Sequence, residues 1–298
     1  MSSGDPLPVS YAEMASEART IAPGLHFLST PIGAARDITL RALDLLAGAD
    51  VLAAEDTRSL RHLMEIHGIA LGGRPLVAYH EHNEGQALPR LMRALEDGKS
   101  VAYASEAGTP LVSDPGFGLA RAVIAAGLPI TAAPGPSAAI CALTVSGLPS
   151  DRFMFAGFIP SAAGARKSFL ENLSSVQATI ILYESPKRVR ETFRDLVEYF
   201  GSDRQAAICR ELTKRFEEVS RGELGALAEE LENREVKGEI VLVIDRAPER
   251  QATAETVEVA LDKAMETMSV KDAAAAVAEA YDLPRRQVYQ LALERGRP

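Results

Sequence analysis

The feature that most constrains this chain is an alternation, repeated five times between Leu25 and Gly147, of a short β-rich run with a helical pattern. The runs 25–29, 51–54, 76–80, 101–104 and 130–133 read as strands, and helical patterns near 39–47, 57–67, 86–97, 117–126 and 137–146 separate them. Gly48, Gly68, Gly98, Gly127 and Gly147 follow these helices, where a residue of positive φ ends a helix cheaply. Strands joined through helices rather than tight turns return in the same direction, so the expected product is a largely parallel sheet covered on both faces.

The pattern changes after Leu148-Pro149. Runs at 153–158, 180–184, 206–211, 216–222 and 239–245 read as strands, with helices near 165–174, 186–200 and 224–234. The link between Glu211 and Phe216 is too short for a crossover helix, so those strands are expected to form an antiparallel hairpin in a mixed sheet. The fold class expected is therefore α/β, with two α/β domains over 25–149 and 150–246. A polar, proline-containing linker at 246–255 leads to a small helical domain at 256–298. There Ser269 and Asp272 make a capping-box-like start and Leu283-Pro284 separates two short helices. Residues 1–24 read as a disordered N-terminal extension without the apolar core of a signal peptide.

Composition narrows the function classes. At 298 residues the chain can hold more than one core. No apolar run reaches membrane-spanning length, and Cys141 and Cys209 lie in apolar stretches without metal-ligand spacing, as expected of free buried thiols in a reducing cytoplasm. The net charge of −9 is spread along the chain, so any nucleic-acid contact has to come from a local basic patch.

In an open α/β sheet, ligands bind beyond the carboxyl ends of the strands. There this sequence carries three Gly/Pro loops: Ser29-Thr30-Pro31-Ile32-Gly33; the long block from Ser105-Glu106-Ala107-Gly108-Thr109-Pro110 through Ser113-Asp114-Pro115-Gly116; and Pro134-Gly135-Pro136-Ser137-Ala138. Together they could bring backbone groups close to a flat polar ligand. Gly116-Phe117-Gly118 lacks the third glycine of a dinucleotide fingerprint, since Arg121 stands there, and no Walker-type Gly-Lys-Ser/Thr occurs. Tyr79-His80-Glu81-His82-Asn83-Glu84 groups two imidazoles with carboxylates but has no evident further metal ligand, so no metal is expected. Glu55-Asp56-Thr57-Arg58 closes the second strand and reads equally as a helix N-cap.

The segment Tyr183-Glu184-Ser185-Pro186-Lys187-Arg188 is electrostatically unusual. With Pro186 as the first helical residue, Lys187, Arg188 and Arg190 crowd the positive end of a helix, an arrangement that an anion such as an RNA phosphate would favour. A solvated basic helix start is the plain alternative.

These blocks, in this order, closely resemble the bacterial 16S rRNA cytidine 2′-O-methyltransferases, a branch of the tetrapyrrole methylase superfamily. The matching stretches are 29–43, 54–58, 79–84, 105–116, 134–139, 151–160, 183–188, 210–214 and 238–243, covering essentially Leu25 to Asp245. The resemblance implies a homodimeric enzyme that binds S-adenosylmethionine in a cleft between two α/β domains and methylates rRNA of the small subunit. Carried over by motif, the cofactor meets Pro31, Ser105, Glu106, Ala107, Gly108, Thr109, Ser113, Ser137 and Ala138, with Phe158 and Leu212 enclosing the adenine side. Arg58, Lys187, Arg188, Arg190 and Lys214, with the rim from His80 to Glu84, face RNA. One departure stands out: this chain has Glu106 where the family has aspartate. Candidates for a general base are Glu55, His80 and Glu106, and the sequence does not choose among them. Two rivals remain: a methylase of a small tetrapyrrole on the same fold, and a regulator whose terminal helices form a helix-turn-helix.

Overall fold

The computed structural model of the chain describes residues 20–232, 234–248, 254–281 and 283–295. The expected N-terminal extension falls largely, and the expected linker partly, outside these residues. Five strands, β1 (Gly24–Leu28), β2 (Val51–Ala54), β3 (Leu76–Ala78), β4 (Ser100–Ala104) and β5 (Ile130–Ala133), form a wholly parallel sheet in the order β3-β2-β4-β1-β5. Helices α1 (Leu40–Gly48), α2 (Thr57–Ile66), α3 (Glu84–Glu96), α4 (Phe117–Ala125) and α5 (Ala138–Ser146) follow the strands in turn.

Period-two alternation sends neighbouring residues of each strand to opposite faces. Leu25, Phe27, Val101 and Tyr103 pack beneath Leu91 of α3 and Leu119 and Val123 of α4. Leu28, Leu52, Ala102 and Ala104 pack against Leu43 and Leu46 of α1 and Met64 of α2. Each fully buried leucine contributes about 1.5–3 kcal/mol, so both helical layers are held firmly to the sheet. Thr39 and Asp56 cap α1 and α2 by accepting from the Ala42 and Arg58 amides. Gly68, Gly98, Gly127 and Gly147 adopt positive φ as expected. Gly48 does not: it stays in the last turn of α1, and Ala49 ends the helix in an extended conformation.

The second sheet is mixed. Its strands are β6 (Phe153–Phe158), β7 (Thr179–Glu184), β8 (Gln205–Arg210), β9 (Glu218–Glu223) and β10 (Ile240–Ile244), in the order β6-β7-β10-β8-β9. Only β6 and β7 run parallel, and β8 and β9 form the expected antiparallel pair. Helices α6 (Ala163–Ser174), α7 (Val189–Phe200) and α8 (Leu224–Glu232) cover one face through Leu170, Phe193, Leu196 and Leu227. The other face, Ile181, Ala207, Cys209, Val241 and Val243, is covered by Ala139, Ala142 and Leu143 of α5 together with Ile32 and Leu212. Helix α5 thus joins the two sheets into one unit that runs to Arg246. Cys209 is buried in this seam and Cys141 half-buried beside it.

A separate unit holds α9 (Ala254–Met265), α10 (Val270–Ala280) and α11 (Arg285–Arg295), packed on Leu261, Val277, Val288 and Ala292. The Ser269 hydroxyl caps α10 by accepting from the Asp272 amide, as the capping-box reading expects. Among the described residues no helix is long and apolar enough to cross a membrane.

Candidate functional site

The loops after β1, β4 and β5 meet at the carboxyl edge of the parallel sheet and are tied to one another. Thr30 and Gly108 exchange two backbone hydrogen bonds, of 2.9 and 3.0 Å. The Thr109 hydroxyl donates to the Pro136 carbonyl at 2.8 Å and lies 3.1 Å from the Ser29 hydroxyl. Gly135 crosses so close to Ser29 that a Cβ there would sit 2.8 Å from the serine Cβ. The long loop between Ser105 and Gly116 carries backbone strain: Leu111 and Ser113 take φ of 72° and 61°, each costing about 1–3 kcal/mol. Tyr103, buried in an edge-to-face cluster with Phe27 and Tyr79, anchors that loop by donating to the Pro115 carbonyl at 3.2 Å.

These loops form one side of a cleft of about 780 Å³, within the size range of sites for small organic ligands. The facing side comes from the second sheet: Phe158, Tyr183, Cys209, Leu212 and the stretch 238–241. The Tyr183 ring packs edge-on against Phe155 and Phe158, with centroids 4.9 and 5.3 Å away, giving the cleft an aromatic flank. Loop 211–214 is strained as well, with Glu211 and Thr213 at positive φ. It is stitched to the first loop where the Ala34 amide donates to the Thr213 hydroxyl.

Charge in the cleft is uneven. Glu55, Glu106 and Asp114 line it together. Burial, then the neighbouring Glu106, raises the Glu55 carboxyl above its ordinary value. Burial, then Glu55 and Glu106, pushes Asp114 up to about 7. Opposite them, Lys214 is 2.9 Å from both Glu211 and Glu239, and its hydrogen bond holds Glu211 below the usual carboxylate range. Among the described residues no group of three or more His, Cys, Asp or Glu side chains could hold a metal ion.

Of the residues expected to meet a cofactor, Pro31, Glu106, Ala107, Gly108, Thr109, Ser113, Ser137, Ala138, Phe158 and Leu212 all line the cleft. Ser105 does not. It is buried beneath the loop, its hydroxyl donating to the Gly108 carbonyl, and acts as a prop for the turn. Among the base candidates, Glu55 and Glu106 line the cleft and His80 lies outside its lining. His80 is bound through its amide to Asn83 and lies near enough to Glu55 to favour the carboxylate there. Glu84, expected on an RNA-facing rim, lies over α4 instead: a Cβ on Gly118 would come within 1.6 Å of its Oε1.

The basic block also departs from expectation. Residues 186–188 form a turn and α7 starts at Val189, so Pro186 is not its first residue. Arg188 points inward: its guanidinium lies 2.6 Å from buried Glu184 and donates to the Ile159 carbonyl at 3.0 Å. Arg190 donates to the carbonyls of Leu231 and Arg234 at the end of α8. Lys187 is exposed beside the cleft-lining Pro186, and Arg58 is exposed while paired with Asp56 at 2.8 Å.

Sequence reasoning missed Asp114, Tyr183 and the 238–241 stretch as cleft residues. All three lie in blocks it had singled out, but no local signal says which side chain of a block turns inward. Gly238 carries the clearest trace: at φ 90°, a Cβ there would strike the Glu211 carboxylate.

Comparison with known proteins agrees with this fold. Residues 24–228 match the family model of Tetrapyrrole (Corrin/Porphyrin) Methylases, and residues 251–296 match the model described as RsmI C-terminal HTH domain. The chain is 52% identical over 231 residues to "Ribosomal RNA small subunit methyltransferase I" of Mesorhizobium japonicum, covering 77% of this chain and 78% of that one. It is 43% identical to the protein of the same name from Xylella fastidiosa, covering 90% and 98% of the two chains. Among solved structures, the fold is similar to uroporphyrin-III C-methyl transferase of Thermus thermophilus complexed with S-adenyl homocysteine. That match has a TM-score of 0.51 at 18% identity and covers 74% of this chain and 97% of the other.

Proposed function

Because the chain belongs to the tetrapyrrole methylase family and, within it, to the ribosomal RNA small subunit methyltransferase I proteins, we propose that it 2′-O-methylates the ribose of a cytidine in 16S rRNA, with S-adenosylmethionine as methyl donor. The observation that carries this reading is the cleft in which the three loops after β1, β4 and β5 are locked together and faced by Phe158, Tyr183 and Leu212.

The cleft suits that donor chemically. Ile32, Val112, Phe158 and Leu212 offer apolar surface to an adenine ring, and the close-set backbone at Gly108 and Ala107 offers hydrogen-bonding groups. The carboxylates of Glu55 and Glu106 in the cleft wall complement the cationic sulfonium and ammonium groups. When bound, the sulfonium supplies an already activated methyl group. The chain's own task is then to hold donor and acceptor in line in a cleft shielded from water, and positioning of that kind can supply most of the acceleration. The cross-tied loops and the strained segments 111–113 and 211–213 fix that geometry.

The same wall argues against a tetrapyrrole acceptor. A carboxylate-bearing macrocycle would bring its charge against Glu55, Glu106 and Asp114, whereas a ribose presents hydroxyls there. Lys187 and Arg58, exposed next to cleft residues Pro186 and Ser59, are the cations placed to meet flanking phosphates. Exposed Phe117, Ile124 and Ile140 supply apolar surface for a second copy in a homodimer, which light scattering would report as twice the 31.9 kDa chain mass. The protein would work in the cytoplasm on the small subunit. The direct test is incubation with labelled S-adenosylmethionine and small subunits from a methylation-deficient strain, followed by nucleoside analysis. Label recovered as 2′-O-methylcytidine is the expected result, and subunit RNA left without label would overturn the reading.

A further inference from the structure

We propose that Asp114 is the general base of the transfer, the carboxylate that takes the proton from the ribose 2′-hydroxyl. The proposal rests on the methyltransferase reading above and names the group that the sequence could not select.

The argument begins with hydrogen bonding. Two carboxylates at the cleft wall have donors: Glu184 receives the Ser185 amide and the Thr192 hydroxyl, and Glu211 receives Lys214 and the Glu239 amide. Asp114 lines the same cleft, yet its Oδ2 is shielded from solvent and has no hydrogen-bond partner among the described residues. A shielded carboxylate oxygen without a donor is costly. Its persistence is understandable if the donor arrives with the substrate, as a hydroxyl does.

The backbone holds Asp114 in this unfavourable state from both sides. Ser113 precedes it at φ 61°, and Pro115 follows with its carbonyl held by Tyr103. Gly116, at φ 121°, is closely packed: a Cβ would meet Leu111, Phe27 and Tyr103 at 3.1–3.4 Å. Strain that is over-determined by its surroundings is a mark of functional loops.

Three groups compete for the role, and their settings differ. Glu106 is exposed, and Glu55 is half-buried at the end of β2. Around Asp114 stand Glu55, Glu106 of its own loop, Tyr103 from β4 and Tyr183 from β7, with no cation among the groups that act on its charge. Burial and those two carboxylates bring its proton affinity to about 7, close to that of an efficient base at neutral pH. In the step, the hydroxyl O–H bond breaks and its proton passes to Asp114. The ribose oxygen forms its bond to the methyl carbon as the S–C bond breaks, and that electron pair stays on sulfur as a neutral thioether. The negative charge lost from Asp114 balances the positive charge lost from the donor, and the proton later leaves to solvent.

The test compares wild type, Asp114→Asn and Asp114→Glu in single-turnover methyl transfer to unmethylated small subunits across pH. Calorimetry with S-adenosylhomocysteine and carboxyl ¹³C NMR titration accompany it. The expected wild-type rate rises about tenfold per pH unit and levels off near 7, and Asp114→Asn lowers it by about 10²–10⁴-fold. S-adenosylhomocysteine affinity stays within about threefold, the carboxyl titrating near 7 disappears, and Asp114→Glu keeps part of the rate. An Asn variant within a few-fold of wild type would overturn the proposal, as would the absence of any carboxyl titrating near 7. A parallel loss of S-adenosylhomocysteine affinity would overturn it too, making Asp114 a cofactor ligand. A wild type that binds S-adenosylhomocysteine but transfers nothing to the subunit would instead overturn the rRNA reading on which the proposal stands.

Discussion

The guanidinium of Arg188 lies 2.6 Å from the carboxylate of Glu184, whose side chain has no solvent exposure at all. Glu184 ends β7 and also accepts from the Ser185 amide and the Thr192 hydroxyl, each at 2.6 Å. The pair therefore ties the end of a central strand to the start of α7 along the wall of the cleft. Removing one partner leaves a buried charge without its counterion. Arg188→Ala is expected to destabilise the protein by about 3–5 kcal/mol in urea unfolding, and a double variant Glu184→Gln, Arg188→Met should recover much of that loss. A single variant as stable as wild type would mean that the ion pair contributes nothing.

Lys187 behaves differently because it is exposed and near the cleft mouth. Lys187→Glu should leave thermal stability and S-adenosylhomocysteine affinity unchanged while weakening binding to small-subunit RNA. If it meets one phosphate, the slope of log affinity against log salt falls by about 1. Filter binding at several salt concentrations measures this, and an unchanged slope would remove Lys187 from the interface.

The cofactor loops depend on close backbone approach. Gly135→Ala places a methyl 2.8 Å from the Ser29 Cβ, so the β1 and β5 loops have to separate. The expected result is roughly tenfold weaker S-adenosylhomocysteine affinity, about 1.4 kcal/mol by calorimetry, without loss of secondary structure.

Binding should also be visible as stabilisation. With S-adenosylmethionine at about 100 times its Kd, linkage adds about 2.7 kcal/mol to unfolding, and excess chelator should not reduce the gain. A melting temperature that rises only when divalent metal is supplied would contradict the expectation of metal-free binding.

Asp114 has a signature in stability as well as in rate. Its folded-state value of about 7 lies above the unfolded 3.8, so the native protein holds more protons between those limits. Wild-type stability contributed by this group is therefore present below about 4 and declines as pH rises toward 7. Asp114→Asn does not titrate, so it should melt higher than wild type above pH 7, with the difference shrinking on acidification toward pH 4. Thermal melts across that window check the sign, and a difference independent of pH would contradict it.

Much of the fold was legible because its signals are local. The β-rich runs at 25–29 and 101–104 gave strands, and helices between them required parallel pairing. The short link after Glu211 required a hairpin, which β8 and β9 form. The Gly/Pro loops were legible as a site because they are longer and richer in unusual residues than turns need to be. Every loop residue expected at the cofactor except Ser105 lines the cleft, and Ile32, Val112 and Asp114 of the same loops line it as well.

What escaped prediction depends on partners distant in the chain. The expected helix start at Pro186 moved to Val189 in a segment where Ser185, Arg188 and Thr192 all bond to Glu184. Glu84 turned toward Gly118 because that glycine leaves room for a carboxylate, although 34 positions separate the two. The composition of the strand-four block could not distinguish exposed Glu106 from shielded Asp114, since both are acids in one Gly/Pro loop. By itself the sequence determined the order of elements, the edge of the sheet that bears the site and the family to which the blocks belong. Tertiary structure alone decided which charges are spent on one another and which remain for a ligand, because periodicity and turn chemistry act between near neighbours, whereas ion pairing and desolvation depend on what the folded chain brings within a few ångströms.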